Sequence, residues 1–125
     1  MRINREQVFS MVLDCAFKVH TALGPGLLES SYEECLYYEL NKLGIQVEKQ
    51  KPLPLIYEDV KLNIGYRVDL MVDNQIIVEI KSVDSLSNLH MAQILTYLKL
   101  SDSKLGLLVN FNVQHLKNGI KRVIN

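Results

Sequence analysis

Asp69, Glu79 and Lys81 are charges set into otherwise apolar strands, and such charges are rarely buried without a partner. Residues 66–72 and 76–81 alternate β-branched and apolar side chains at period two around the turn-forming pair Asp73-Asn74. The first run places Tyr66, Val68, Leu70 and Val72 on one face and Arg67, Asp69 and Met71 on the other. The second puts Ile76, Val78 and Ile80 together and leaves Glu79 and Lys81 opposite them. A three-residue loop, Asp73-Asn74-Gln75, sets Val72 against Ile76, Leu70 against Val78 and Val68 against Ile80. In that register Asp69 lies directly opposite Glu79, with Cβ atoms roughly 5 Å apart. Two like charges that close repel and favour a cation between them. A hard divalent ion suits them, because Mg²⁺ binds through one or two carboxylates and keeps several waters. Lys81, on the same face, is placed to steer a water or stabilise an anionic oxygen.

The elements that must hold these residues follow from the rest of the chain. Asn4 with Gln7 three residues later has the form of a capping box. Val8, Met11, Val12, Cys15, Ala16, Val19 and Leu23 then repeat at helical spacing up to the stop Gly24-Pro25-Gly26. A second helix is predicted over 28–43, burying Leu28, Tyr32, Cys35, Leu36, Leu40 and Leu43, with Gly44 after it. Glu29 sits in its first turn, where a carboxylate complements the helix dipole, and Tyr32 is its neighbour one turn on. Ile45 and Val47 begin a strand, and Leu53, Leu55 and Tyr57 suggest another, marked as an edge by Pro52 and Pro54. After a turn at Glu58-Asp59, Val60, Leu62 and Ile64 open a long strand continuing into the Asp69 segment, with Gly65 as a bulge or close approach. Ser85 is the expected cap of a helix over 86–100. Residues 105–109 form a continuous apolar run, as in a strand buried on both faces, and Asn118-Gly119 reads as a hairpin turn. The order predicts an α/β sandwich with a mixed central sheet, its strand after the helical crossover adding in parallel.

Composition narrows the class. At 125 residues, 48% hydrophobic and 22% charged, the chain is expected to form one domain over 1–125 with a substantial core. Zero formal net charge argues against a strong non-specific nucleic-acid binder. No apolar run is long enough to span a bilayer, and the start of the chain lacks the apolar core of a secretory signal, so a cytoplasmic protein without a membrane partner is expected. Cys15 and Cys35 fall on helix faces as buried free thiols; their spacing does not suggest zinc.

Asp69 followed ten residues on by Glu79-Ile80-Lys81 resembles the core motif of the PD-(D/E)xK nuclease superfamily. The stretch Gly26-Leu27-Leu28-Glu29-Ser30-Ser31-Tyr32 is similar to the signature of the GxxExxY proteins, a family placed in that superfamily. Val19-His20, Leu23-Gly24-Pro25-Gly26, residues 92–98 and Asn110-Phe111 match as well, so the resemblance spans nearly the whole chain. It implies a restriction-endonuclease-like fold, a mixed sheet flanked by helices. It also implies Asp69 and Glu79 as metal-binding carboxylates, with Glu29 and the carbonyl of Ile80 adding ligands, and Lys81 as the lysine of the reaction. Gln93 and Tyr97, one turn apart, resemble a Gln-x-x-x-Tyr element beside the site and the DNA. Val68 stands in place of the motif's proline, which many members lack. Arg67 shares the Asp69 face and is expected to meet a carboxylate or a phosphate. The implied activity is Mg²⁺-dependent hydrolysis of a phosphodiester in DNA, with Mn²⁺ as a substitute, in repair or in defence against mobile elements. The alternative is a catalytically silent module that binds nucleic acid or a partner protein; self-association into a homodimer through the edge strand is a third reading. His20 is expected to bond the last carbonyls of its helix, and Tyr37 and Tyr38 to serve in packing and at the surface; His90, one turn before Gln93, is near enough to point into the cleft but is expected to have no functional role.

Overall fold

The computed structural model describes residues 3–125. Helix α1 (Arg5–Leu23) starts at the capping box, in which the Asn4 side chain accepts from Gln7 N–H and the Gln7 side chain accepts from Asn4 N–H. Helix α2 (Glu29–Lys42) follows, then strand β1 (Val47–Pro52), a small hairpin of β2 (Leu55–Tyr57) and β3 (Val60–Leu62), strands β4 (Arg67–Val72) and β5 (Ile76–Lys81), helix α3 (Asn88–Ser101), strand β6 (Leu105–Asn110) and strand β7 (Ile120–Ile124). Five strands form one sheet in the order β1-β4-β5-β6-β7. Among the described residues, only β5 and β6 run parallel, joined by the α3 crossover; the other pairs of this sheet are antiparallel.

Helices cover both faces. Under α1 and α2, Val12, Ala16, Tyr32, Leu36 and Leu40 pack on Leu70, Val72, Ile76, Val78, Leu107 and Val109. Under α3, Ile94, Tyr97 and Leu98 pack on Met71, Ile77 and Leu108. Strand β6 feeds both layers and is buried at all six positions, which is why its sequence carries no alternation. The result is the expected α/β sandwich with a mixed sheet.

Several local expectations are corrected. The strand from Val60 is not continuous with the Asp69 segment: β3 ends at Leu62, and Gly65 at φ +95° turns the chain before β4 begins. Pro52 closes β1, the edge strand of the large sheet, whereas Leu55 to Tyr57 pairs only with β3. Ser87, not Ser85, caps α3, and His90 completes that cap by accepting from Ser87 N–H through Nδ1. His20 bonds the carbonyl of Val113 at 2.7 Å rather than its own helix end. Leu28, Leu43 and Leu23 are exposed because they lie beyond the parts of their helices that meet the sheet, and Cys35 is only half-buried. Asn118-Gly119 lies in a 3-10 turn, Leu116–Gly119, not a two-residue hairpin. Glycine is required at 119 because a Cβ there would stand 2.2 Å from the carbonyl oxygen of Asn110.

Candidate active site

The site begins where a ladder stops. From the turn, β4 and β5 pair Val72 with Ile76, Met71 with Ile77 and Leu70 with Val78, the register read from the sequence. The next pair, Asp69 with Glu79, does not form. Beyond it β4 stays with β1 as far as Arg67 and Pro52, while β5 stays with β6 as far as Lys81 and Asn110. The sheet therefore forks between its second and third strands.

Backbone N–H groups at such a fork need acceptors, and two carboxylates supply them. Glu79 Oε2 accepts from Asp69 N–H at 2.8 Å, and Asp69 Oδ2 accepts from Ile80 N–H at 2.8 Å. Each acid grips the other's strand. The two do not stand side by side on one flat face, and Val68 does not share the face of Ile80: Val68 packs under α3, Ile80 under α1 and α2. Strict alternation fails because it presumes an unbroken ladder.

Asp69 opens into a cavity of about 280 Å³ lined also by Glu29, Ser30, Glu33, Gln50 and Ile80. Glu29 is brought there by the turn that starts α2. Tyr32 fixes that turn: its hydroxyl donates to Gly24 O at 2.6 Å and accepts from Leu27 N–H at 3.1 Å, and its ring stacks on Phe111 at 4.5 Å. Phe111 N–H in turn donates to the carbonyl of Lys81 at 3.0 Å. Glu29 Oε2 accepts from Ser82 N–H at 3.1 Å, and Ser82 Oγ donates to Leu27 O at 2.7 Å, tying the end of β5 to α2. Lys81 is half-buried and donates to Gln93 Oε1 at 3.3 Å; Gln93 Nε2 donates to the Tyr97 hydroxyl at 3.2 Å. Arg67 is exposed and donates to Gln50 O at 3.1 Å, making no ion pair with a carboxylate among the described residues.

Two residues that the sequence did not single out complete the acidic side. Glu33, one turn after Glu29, is only 8% exposed, and its helical spacing from Glu29 was the available signal. Gln50 donates to Glu33 Oε1 at 2.7 Å and to Asp69 Oδ1 at 3.3 Å. It holds φ at +49°, a left-handed conformation that costs a non-glycine residue about 1 kcal/mol. Nothing in the β1 sequence announces it.

Crowded acids in a shielded place resist ionisation. Burial, with the Asp69 charge added, pushes the Glu79 carboxyl up to about 8, against the Asp69 N–H and Lys81, which favour the charged form. Burial also raises the Asp69 carboxyl, opposed by the Ile80 N–H and Lys81, and it raises Glu33, opposed by Gln50. Burial and the Glu79 charge raise the Tyr97 hydroxyl. A set of oxygen donors too poorly solvated to hold its negative charge alone fits a hard divalent cation. Among the described residues, no three His, Cys, Asp or Glu side chains converge on one point.

No helix among the described residues is long and apolar enough to cross a membrane. No curated protein and no solved structure matches the chain. The family model described as the PD-(D/E)XK nuclease superfamily matches residues 6–123, a span that takes in the fork, the Glu29 turn and the Gln93-Tyr97 pair. The chain belongs to the PD-(D/E)XK nuclease superfamily.

Proposed function

We propose that the protein hydrolyses phosphodiester bonds in DNA with Mg²⁺, or Mn²⁺ in its place. One observation supports the reading: Asp69 and Glu79 are held across the fork by each other's backbone N–H, with Glu29 lining the Asp69 cavity and Lys81, two residues after Glu79, bonded to Gln93. Asp69, Glu79, Glu29 and the carbonyl of Ile80 are the groups that would hold the cation. When bound, the cation supplies Lewis-acid polarisation of a phosphoryl oxygen and a water of lowered pKa. Lys81 places its ammonium against the negative charge that grows on the phosphoryl oxygens, and Gln93 and Tyr97 keep the long side chain from wandering. Arg67, exposed on β4 and donating to the Gln50 carbonyl, is the cation that would meet a neighbouring phosphate.

The absence of a ready-made ligand cage among the described residues favours one competing reading, a silent nuclease-fold module that binds nucleic acid without cutting. Incubation of labelled DNA with Mg²⁺ or Mn²⁺ separates the two. Cleavage by wild type that drops roughly 10²-fold or more in Asp69→Asn and Lys81→Ala supports hydrolysis. Equal cleavage by all three proteins assigns the activity to a contaminant, and DNA binding without cleavage supports the silent module.

A further inference from the structure

A second cavity lies along α3 and shares Gln93 and Tyr97 with the hydrolytic site. It measures about 300 Å³ and is lined by Leu55 of β2, Tyr66, and Leu89, Gln93, Tyr97 and Leu100 of α3. Leu89 is 79% exposed and Tyr66 43% exposed, and large apolar side chains gathered in water around a hollow mark a contact surface. The Tyr66 and Tyr97 rings stand 6.1 Å apart at 60°. Gln93 forms the shared wall with the site: its Nε2 donates to the Tyr97 hydroxyl, and its Oε1 accepts from Lys81.

We infer that this cavity receives an unpaired base of the bound strand, so that the preferred substrate carries a single-stranded segment; the inference rests on the nuclease reading above. The occupant must offer a flat apolar face to the exposed Tyr66 and Leu89 and a polar edge to Gln93 and to Thr96, which also lines the cavity. It must also be attached to an anion that meets Lys81. A nucleotide meets all three requirements. In a duplex, base faces are covered by their neighbours and reach such a hollow only when turned out of the stack. Zero net charge gives the protein little general attraction for duplex backbone, which leaves local stacking to hold the strand.

The test is the affinity of single-stranded and duplex oligonucleotides of one sequence, each carrying 2-aminopurine, measured with Ca²⁺ in place of Mg²⁺. Base–aromatic stacking changes affinity by about ten-fold or more per base. The single strand is therefore expected to bind about ten-fold tighter than the duplex, with its 2-aminopurine fluorescence quenched. Tyr66→Ala and Leu89→Asp are expected to weaken it by about the same factor. Both positions are exposed, and thermal melts confirm that the variants fold. Tyr38→Ala, an exposed tyrosine on the opposite helical layer, leaves affinity unchanged. Wild-type affinity in Tyr66→Ala and Leu89→Asp overturns the inference; if DNA is still cleaved in Mg²⁺, the nuclease reading survives it. No binding and no cleavage of either oligonucleotide overturns both.

Discussion

Close to its turn, the β4–β5 hairpin pairs Met71 with Ile77 and Val72 with Ile76, and all four side chains are buried in the two cores. A few residues further along, the same strands part, and the groups between them are Asp69, Glu79 and the N–H groups they hold. The near half is made of side chains whose burial stabilises the fold. The far half contains acids whose burial works against it, since Asp69 and Glu79 both resist ionisation there. The regular half acts as the clamp and the forked half as the load. The apolar ladder keeps the fork in place although its contents are unfavourable, as happens where stability is given up for a site.

The largest effects are expected from substitutions in each half in turn. Leu70→Ala or Val78→Ala removes a fully buried side chain and should cost about 2–5 kcal/mol of unfolding free energy, measured by urea titration; a much smaller loss means that the ladder is not the clamp. In the far half, the sign follows from the raised carboxyls. The folded state holds the Glu79 proton up to about pH 8, whereas the unfolded chain releases it near 4.5. Stability of metal-free protein is therefore greatest at or below about pH 4.5 as far as this group is concerned, and it is lost as pH rises toward and through 8. Glu79→Gln keeps an acceptor for Asp69 N–H without the charge. It should flatten that decline and leave the variant more stable than wild type at pH 8 by on the order of 1–3 kcal/mol, read from thermal melts across the pH range.

Smaller effects sharpen the same contrast. Tyr32→Phe removes the hydroxyl that joins Gly24 O to Leu27 N–H while keeping the ring on Phe111. It should cost about 1 kcal/mol and show faster hydrogen exchange at Leu27. Gln50→Gly relieves the left-handed backbone but deletes the bridge between Glu33 and Asp69. The two effects should nearly cancel, within about 0.5 kcal/mol, so a large loss in a urea titration would show that the bridge outweighs the strain.

What the sequence disclosed and what it hid divide along the same line. Register through Leu70 and Val78 was legible because period-two alternation and a three-residue loop together leave one pairing. The change of face at Val68 was not, because alternation carries no sign of where a ladder ends. Glu29 was visible only through the family resemblance, since an acid in the first turn of a helix is ordinary. The structure adds the reason for the tyrosine three residues later, which holds the turn that aims Glu29. Gln50 and Glu33 act through tertiary neighbours, and the cap at Ser87 could be told from one at Ser85 only by seeing which serine faces the His90 N–H.

The most direct test of the fork as a divalent-cation site is calorimetric titration of Mn²⁺ into wild type and Asp69→Asn at pH 6 and pH 8. Binding of a cation displaces the protons that burial holds on the carboxyls. Wild type should therefore bind more tightly at pH 8 than at pH 6 and release protons on binding, while Asp69→Asn should lose most of the affinity at both. Mn²⁺ affinity that is the same in the two proteins and does not change with pH would place the cation elsewhere and contradict the account.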